Sequence, residues 1–241
     1  MTSTEDITLD GAVIRYDADL LPDIVSGLFD ADYLRSNKLW QASTQGRSQA
    51  HFFTQGAREL VLRHFHRGGR IGRINNDLFL RTTPPNSRPF REYHLLDLMY
   101  AKGLPVPRPV AARFVPAGLF YRADIITERI PTAHPLADVL EEADLPASVW
   151  IDIGAAIKAL HSNLIFHSDL NARNILLDAD HRVWIIDFDK CAQRGAGPWM
   201  QGNLDRLKRS FLKIKTASPA LHWSESNWDN LLLGYQGRSK S

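Results

Sequence analysis

The chain has 241 residues, of which 44% are hydrophobic and 23% are charged, with a formal net charge of +2. This composition excludes an intrinsically disordered chain, and the small net charge gives no reason to expect nucleic acid as a partner. The single cysteine excludes an internal disulfide. No apolar run approaches the length of a membrane-spanning helix, and the polar N-terminus lacks a secretory pattern, so we expect a soluble, cytoplasmic protein.

The first half of the chain is predicted to be rich in strands, with one inserted helix. Alternating or short apolar runs indicate strands at 11–16, 50–54, 59–64, 110–115 and 121–128. Residues 19–35 also show apolar positions at helical spacing, which predicts a helix there. The inserted helix is predicted at 88–102, where the pattern is amphipathic and Gly103 follows as a C-cap.

The second half is predicted to be mainly helical, with helices at 136–140 and 146–161 and a helical tail. Two short apolar runs, 175–177 and 183–186, are separated by a turn sequence and predict a hairpin. The fold class is therefore α+β, with a β-rich N-terminal lobe at 1–128 and a compact, mainly helical C-terminal lobe at 129–241. A cleft between two such lobes is a common place for a ligand.

Three polar residues around this hairpin are candidates for a catalytic site. Asp169 lies on the loop after a long helix, Asn174 precedes the first hairpin strand, and Asp187 follows the second. A hairpin brings Asn174 and Asp187 side by side, and their oxygens form the kind of site that Mg²⁺ prefers. Asp169 then remains to accept the proton of an attacking hydroxyl, which is what phosphoryl transfer requires. The alternative is that all three are turn residues at strand ends.

The run His-Ser-Asp-Leu-Asn-Ala-Arg-Asn at 167–174, followed by an apolar hairpin and Asp-Phe-Asp at 187–189, resembles the catalytic core of protein kinases. The sequence departs from that pattern at Ser168, which stands in place of arginine, and at Asp189, which stands in place of glycine. No Ala-Pro-Glu motif is present, and only 54 residues follow Asp187. A compact kinase acting on a small molecule or a lipid fits better than a protein kinase.

In a kinase of this kind, the residues that contact the phosphates of ATP are expected in the first half of the chain. The strand at 59–64 carries no lysine, but Arg63 occupies the corresponding place and keeps its charge. Glu92, on the inserted helix, is the candidate ion-pair partner of Arg63. A phosphate-covering loop is expected at 43–50, where Gly46 is its single glycine. The alternatives are a surface arginine and a solvated helix-face acid.

Further segments at 61–72, 103–111, 121–127 and 187–191 make the chain look like the 3-deoxy-D-manno-octulosonic acid (Kdo) kinase family of Gram-negative bacteria. That family carries an arginine where protein kinases have lysine, so the resemblance implies Arg63 in this role. It also implies ATP-dependent phosphorylation of the 4-hydroxyl of Kdo on a lipid A precursor, in lipopolysaccharide core assembly. Action at the cytoplasmic face of the inner membrane is implied as well.

A basic amphipathic helix is predicted at 203–215, and it is compatible with an anionic substrate. Its basic side chains include Arg206, Arg209 and Lys213. Such a helix either rests on an anionic bilayer surface, as a peripheral contact, or packs its apolar face on its own core. His167 is predicted to be structural, holding the backbone of the Asp169 loop.

Two other functions stay open from the residues alone. One is a kinase with another acceptor, such as heptose, an aminoglycoside or a protein. The other is a nucleotide-binding scaffold without activity, which the missing lysine favours.

Overall fold

The computed structural model describes residues 3–43, 50–66 and 77–237. The fold combines a β-rich region with helices, so the predicted α+β class is confirmed. The chain divides into two compact units. The first comprises the described residues up to Leu98 together with Arg108–Arg129, and the second comprises Met99–Pro107 and the described residues from Ile130 onward.

The first unit is built on an antiparallel sheet, which has eight strands within the described residues. The strands are β1 (Thr4–Leu9), β2 (Ala12–Asp17), β3 (Trp40–Ser43), β4 (Ala50–Gln55), β5 (Arg58–His64), β6 (Phe79–Leu80), β7 (Pro109–Ala117) and β8 (Phe120–Glu128). Their order is β1-β2-β7-β8-β5-β4-β3, and β6 pairs with β8. The five predicted strands correspond to β2, β4, β5, β7 and β8, and β1, β3 and β6 were not predicted.

Strand β5 lies between β8 and β4 and presents two different faces. Leu60 and Leu62 are fully buried in the core of this unit. Because successive side chains of a strand point to opposite faces, Val61 and Arg63 lie on the other face. In the register of the sheet, Arg63 pairs with Ala50 of β4 and with Ile125 of β8. A central strand therefore fixes the position of Arg63.

The helices of this part of the chain are α1 (Ala31–Ser36) and α2 (Arg88–Ala101). The helix predicted at 88–102 is confirmed, and Gly103 ends it with a positive φ of 68°.

The single helix predicted at 19–35 is wrong. The structure has a short 3₁₀ helix at Ser26–Phe29 and then α1, which begins after a cap in which the Asp30 carboxylate accepts from the amides of Asp32 and Tyr33. The apolar spacing arises because the segment packs against the sheet core. Pro22 lacks the amide hydrogen that a helix interior needs, so the segment does not form one helix.

The second unit contains the remaining helices and short strands. They are β9 (His134–Pro135), α3 (Leu136–Glu142), α4 (Ala147–Ser162), β10 (Ile165–Phe166), β11 (Ile175–Leu177), β12 (Val183–Ile185), β13 (Ala192–Gln193), α5 (Trp199–Ala217) and α6 (Glu225–Gln236). Helices α4 and α6 approach closely at two glycines. A Cβ atom on Gly154 or Gly234 would lie 1.9 Å from a carbonyl oxygen of the facing helix, so neither position accommodates a side chain without movement.

Helix α5 packs its apolar face inside the second unit. Leu204, Leu207 and Phe211 are almost completely buried. The Phe211 ring contacts Trp150 of α4 and stacks on Trp223, with both pairs of ring centroids 5.6 Å apart. This is the alternative in which the helix packs on its own core, and its buried apolar side chains are not available to a bilayer. Within the described residues, no helix is long and apolar enough to cross a membrane.

Candidate active site

The predicted hairpin at 175–186 is confirmed as β11 and β12, which pair antiparallel with Ile175 opposite Ile185. The pairing extends by one hydrogen bond, in which the amide of Ile186 donates to the carbonyl oxygen of Asn174 at 3.0 Å. Asp187 follows directly, so the hairpin brings the backbone of Asn174 close to Asp187. Asp187 has a positive φ of 66°, a conformation that is uncommon outside glycine and that clusters at functional sites.

The loop that carries Asp169 is anchored by His167. The carbonyl oxygen of Ile186 is only an acceptor, so the Nε2 atom of His167 carries the proton and donates to it at 3.0 Å. The Nδ1 atom then accepts from the amide of Asp169 at 3.1 Å. Burial lowers the pKa of the His167 imidazole, which suits a neutral ring with one donor and one acceptor. The predicted structural role of His167 is confirmed.

Two side-chain amides fix the next peptide of the loop. The Nδ2 atoms of Asn171 and Asn174 both donate to the carbonyl oxygen of Asp169 at 2.9 Å. Because the nitrogen of the Asn174 amide is used in this bond, its Oδ1 atom remains for a hard cation. Together with the Asp187 carboxylate, it provides the donor types that magnesium prefers.

The Asp169 side chain is half-exposed, and one of its oxygens is occupied. Arg206 donates to the Oδ1 atom through Nε, at 3.0 Å, and through Nη2. Within the described residues, the Oδ2 atom has no hydrogen-bond partner. A carboxylate with a fixed backbone, a neighbouring cation and one open oxygen is suited to accept a proton from an approaching hydroxyl.

Helix α5 supports the Asp169 loop through side chains that sequence reasoning missed. Asn203 clamps His167, because its Oδ1 atom accepts from the His167 amide at 3.2 Å and its Nδ2 atom donates to the His167 carbonyl at 2.8 Å. Ser210 accepts from the amide of Ala172 at 3.1 Å through its hydroxyl oxygen. With Arg206 between them, these residues are spaced three and four apart and share one helix face. The polar stripe formed by these three residues, beside the apolar stripe of α5, was the sequence signal that could have indicated a contact with a loop.

Ser168 ties the loop to the segment after Asp187. Its hydroxyl donates to the carbonyl oxygen of Asp189 at 2.7 Å, and its amide donates to the Sγ atom of Cys191 at 3.2 Å. The ring of Phe188 is buried, with its centroid 4.9 Å from that of His167. Serine in place of the arginine of protein kinases therefore has a structural use here, which is to hold two loops together.

The first unit contains the other predicted pair. Arg63 and Glu92 form an ion pair, as the sequence predicted, in which the carboxylate side chain is only 3% exposed. The guanidinium carbon of Arg63 also lies 4.9 Å from the centroid of the Phe65 ring. Gly46, the predicted phosphate-loop glycine, lies outside the described residues.

Comparison with known proteins supports the resemblance to Kdo kinases. The model of the lipopolysaccharide kinase (Kdo/WaaP) family matches residues 31–235. A protein of Photobacterium profundum named 3-deoxy-D-manno-octulosonic acid kinase is 38% identical over 232 residues, which is 96% of this chain and 98% of the relative. Proteins with the same name from Vibrio parahaemolyticus and Actinobacillus succinogenes are 39% and 43% identical, over 90% and 73% of this chain and 90% and 75% of the relatives.

Proposed function

We propose that this chain, which belongs to the lipopolysaccharide kinase (Kdo/WaaP) family, transfers the γ-phosphate of ATP to the 4-hydroxyl of Kdo on a lipid A precursor. Relatives named as Kdo kinases, similar over nearly the whole chain, support this acceptor. The observation that carries the proposal is the half-exposed Asp169 carboxylate on a loop whose backbone is fixed on both sides.

In this mechanism Asp169 orients the acceptor hydroxyl and takes its proton on Oδ2. The hydroxyl oxygen forms a bond to the γ-phosphorus, and the bond from that phosphorus to the bridging oxygen of ADP breaks. His167, Asn171 and Asn174 keep the peptide of Asp169 in place during this step. Little covalent chemistry is asked of the protein, so positioning supplies most of the acceleration.

The metal and nucleotide contacts are assigned to the remaining predicted residues. Asn174 and Asp187 would hold Mg²⁺, and the ion would neutralise charge on the transferred phosphate group. Arg63, oriented by Glu92, would contact the phosphates of ATP in the lobe proposed at 1–128, and Gly46 stays a candidate in the same role. The lobe proposed at 129–241 would carry the catalytic loop.

We place the protein at the cytoplasmic face of the inner membrane, as a peripheral protein, because the acceptor is attached to a lipid. The apolar face of α5 takes no part, because it is buried in the protein.

The direct test is incubation of the purified protein with ATP, Mg²⁺ and a Kdo-lipid A precursor. Mass spectrometry is expected to show one added phosphate on the Kdo residue, and none with Asp169→Ala. A parallel panel of heptose, an aminoglycoside and a peptide tests the other acceptors. Phosphorylation of a panel member with none of the Kdo-lipid would overturn the assignment of the acceptor, and no transfer to any acceptor would favour the inactive scaffold.

A further inference from the structure

A cleft of about 750 Å³ opens beside Asp169 within the second unit. One wall is the exposed face of α5, and the other is formed by the catalytic loop and the end of α3. The charged side chains that line it are Glu141, Asp169, Arg173, Arg206, Arg209 and Lys213. Four cations face two carboxylates, so the cleft next to the catalytic carboxylate carries an excess of positive charge.

The positive excess is concentrated on α5. Arg173 is paired with Asp138 at 3.0 Å, and Arg206 is paired with Asp169. Arg209 and Lys213 are exposed, and neither makes an ion pair or hydrogen bond with any described residue. They stand four residues apart, an arrangement in which like charges destabilise a helix. A bound anion between them would remove this repulsion.

Arg206 connects this pair of cations to the catalytic carboxylate. From Arg206 to Lys213 the helix advances about 10 Å, which is on the scale of a disaccharide. Because α5 is held to the Asp169 loop by Asn203 and Ser210, the helix backbone that carries the cations has a fixed position relative to that loop. An anion bound at Arg209 and Lys213 would thus hold the rest of its molecule at a set distance from Asp169.

We propose that Arg206, Arg209 and Lys213 form a subsite for a carboxylate or phosphate group of the acceptor, and that Arg206 is the residue that positions Asp169 against it. The inference rests on the proposed function and deepens it. It assigns acceptor selection to charge, because a neutral sugar of the same size gains nothing from these cations.

An acceptor anion explains the cleft better than a membrane surface does. The cations line a concave site that also contains the carboxylates of Glu141 and Asp169. A flat anionic surface would have to approach both carboxylates at once, whereas a single group on a sugar enters between the cations. Charge-assisted hydrogen bonds to such a group are strong and directional.

The test uses a deacylated, water-soluble Kdo acceptor, so that no membrane or micelle contributes. Arg209→Ala and Lys213→Ala are each expected to raise the acceptor KM about tenfold or more, with the KM for ATP unchanged, because each removes a charged hydrogen-bond donor. Arg209→Lys and Lys213→Arg keep the charge and are expected to restore most of the affinity. Arg182→Ala is the matched control, since Arg182 is 71% exposed and lies outside the cleft.

Arg206 is expected to behave differently from the other two. Arg206→Ala should lower kcat as well as raise the acceptor KM, because Asp169 loses the contact to its Oδ1 atom. Arg206→Lys keeps the charge but loses the two-nitrogen contact, so it should recover the KM more than kcat. A change in the acceptor KM alone would restrict Arg206 to binding and overturn its positioning role.

The outcomes separate the subsite from the proposed function. Turnover of the acceptor with an unchanged KM in both alanine variants overturns the subsite alone. If the same variants lose binding to phosphatidylglycerol vesicles but keep that KM, the cations serve the membrane and the subsite is again overturned. If the wild type transfers no phosphate to Kdo, the function fails, and calorimetric titration of the same acceptor decides the subsite. Binding that the variants lose supports it, and no binding to the wild type overturns it.

Discussion

The Asp169 loop and the Arg63–Glu92 pair hold their functional side chains in opposite ways. Around Asp169, hydrogen bonds fix the backbone while the carboxylate itself is 49% exposed. In the first unit the side chains are the fixed element, because the carboxylate of Glu92 is buried against the guanidinium of Arg63.

This difference separates activity from stability. An exposed ion pair contributes about 0–1 kcal/mol, so the Asp169 carboxylate can be changed at little cost to folding. A buried pair behaves differently, because removing one partner leaves the other charge desolvated and costs about 3–5 kcal/mol. The first region should therefore respond to substitution in catalysis, and the second in both catalysis and stability.

The largest expected effect is on catalysis, from Asp169→Asn. The substitution keeps the shape of the side chain but removes the proton acceptor, so kcat should fall about 10²–10⁴-fold. The free energy of unfolding should change by less than about 1 kcal/mol, since the lost ion pair is exposed. Steady-state kinetics and urea unfolding measure the two quantities. Asp180→Asn, at an exposed aspartate of the same unit, should leave both unchanged.

If Asp169→Asn lowers the free energy of unfolding by well over about 1 kcal/mol, the carboxylate of Asp169 contributes to stability as well as to catalysis, and the contrast between the two regions is wrong. If it keeps more than about a tenth of the wild-type kcat, Asp169 is not the proton acceptor.

The next effect is on stability, from Glu92→Ala. Arg63 is left as a largely buried charge, so the free energy of unfolding should fall by about 3–5 kcal/mol and the KM for ATP should rise. Denaturant unfolding and ATP kinetics are the measurements.

A double variant sharpens this prediction. Arg63→Met with Glu92→Leu removes both charges, so most of the stability should return while ATP affinity stays low. If the double variant binds ATP as the wild type does, the pair has only a structural role. If Glu92→Ala costs no stability, the contrast between the two regions disappears.

A smaller effect is expected from Asn203→Ala, which tests whether α5 fixes the loop backbone. The substitution leaves the buried amide and carbonyl of His167 without their partner, at a cost of about 1–3 kcal/mol. Asp169 should lose its alignment, with kcat lower by about ten- to a hundredfold. Gln201→Ala, at an exposed position on the same helix, is the control for helix propensity. Unchanged kcat in Asn203→Ala would mean that the loop does not depend on α5.

The sequence predicted the elements whose signals are local. The hairpin at 175–186 was recognisable because two apolar runs flank a turn sequence, and α2 because its amphipathic pattern ends at Gly103. The prediction of one helix at 19–35 also relied on a local signal, and it was wrong. The apolar spacing of this segment reflects its packing on the sheet, and Pro22 prevents one continuous helix.

The contacts that complete the site were less predictable, because they join residues distant in sequence. Arg63 and Glu92 are 29 residues apart, and their pairing was expected only through likeness to kinases. Asn203 lies 36 residues from His167, and no local pattern marks which loop a polar side chain on a helix will meet. Arg206 was placed on the basic face of its helix, but its bond to Asp169 depends on the way α5 packs.

The smallest expected effect is a pH dependence of stability that arises from the histidines behind the loop. Burial lowers the pKa of His161 and of His167, whereas an unfolded chain titrates histidine at about 6.5. Below about pH 6.5 the unfolded chain binds more protons than the folded one, so the free energy of unfolding falls until the pH reaches the folded pKa values. Each unit of difference in pKa is worth about 1.4 kcal/mol.

Urea unfolding between about pH 7 and pH 5 measures this dependence, above the range in which most carboxylates titrate. His167→Gln and His161→Gln should each flatten the curve, and buried His51, whose pKa is also lowered by burial, should leave a residual slope. His222→Gln, at an exposed position, is the control. The Nδ1 atom of His167 accepts from the Asp169 amide only while the ring is neutral. A slope that stays unchanged in both His167→Gln and His161→Gln would therefore contradict a neutral His167 ring. It would also contradict the hydrogen bond by which that ring fixes the backbone of the Asp169 loop.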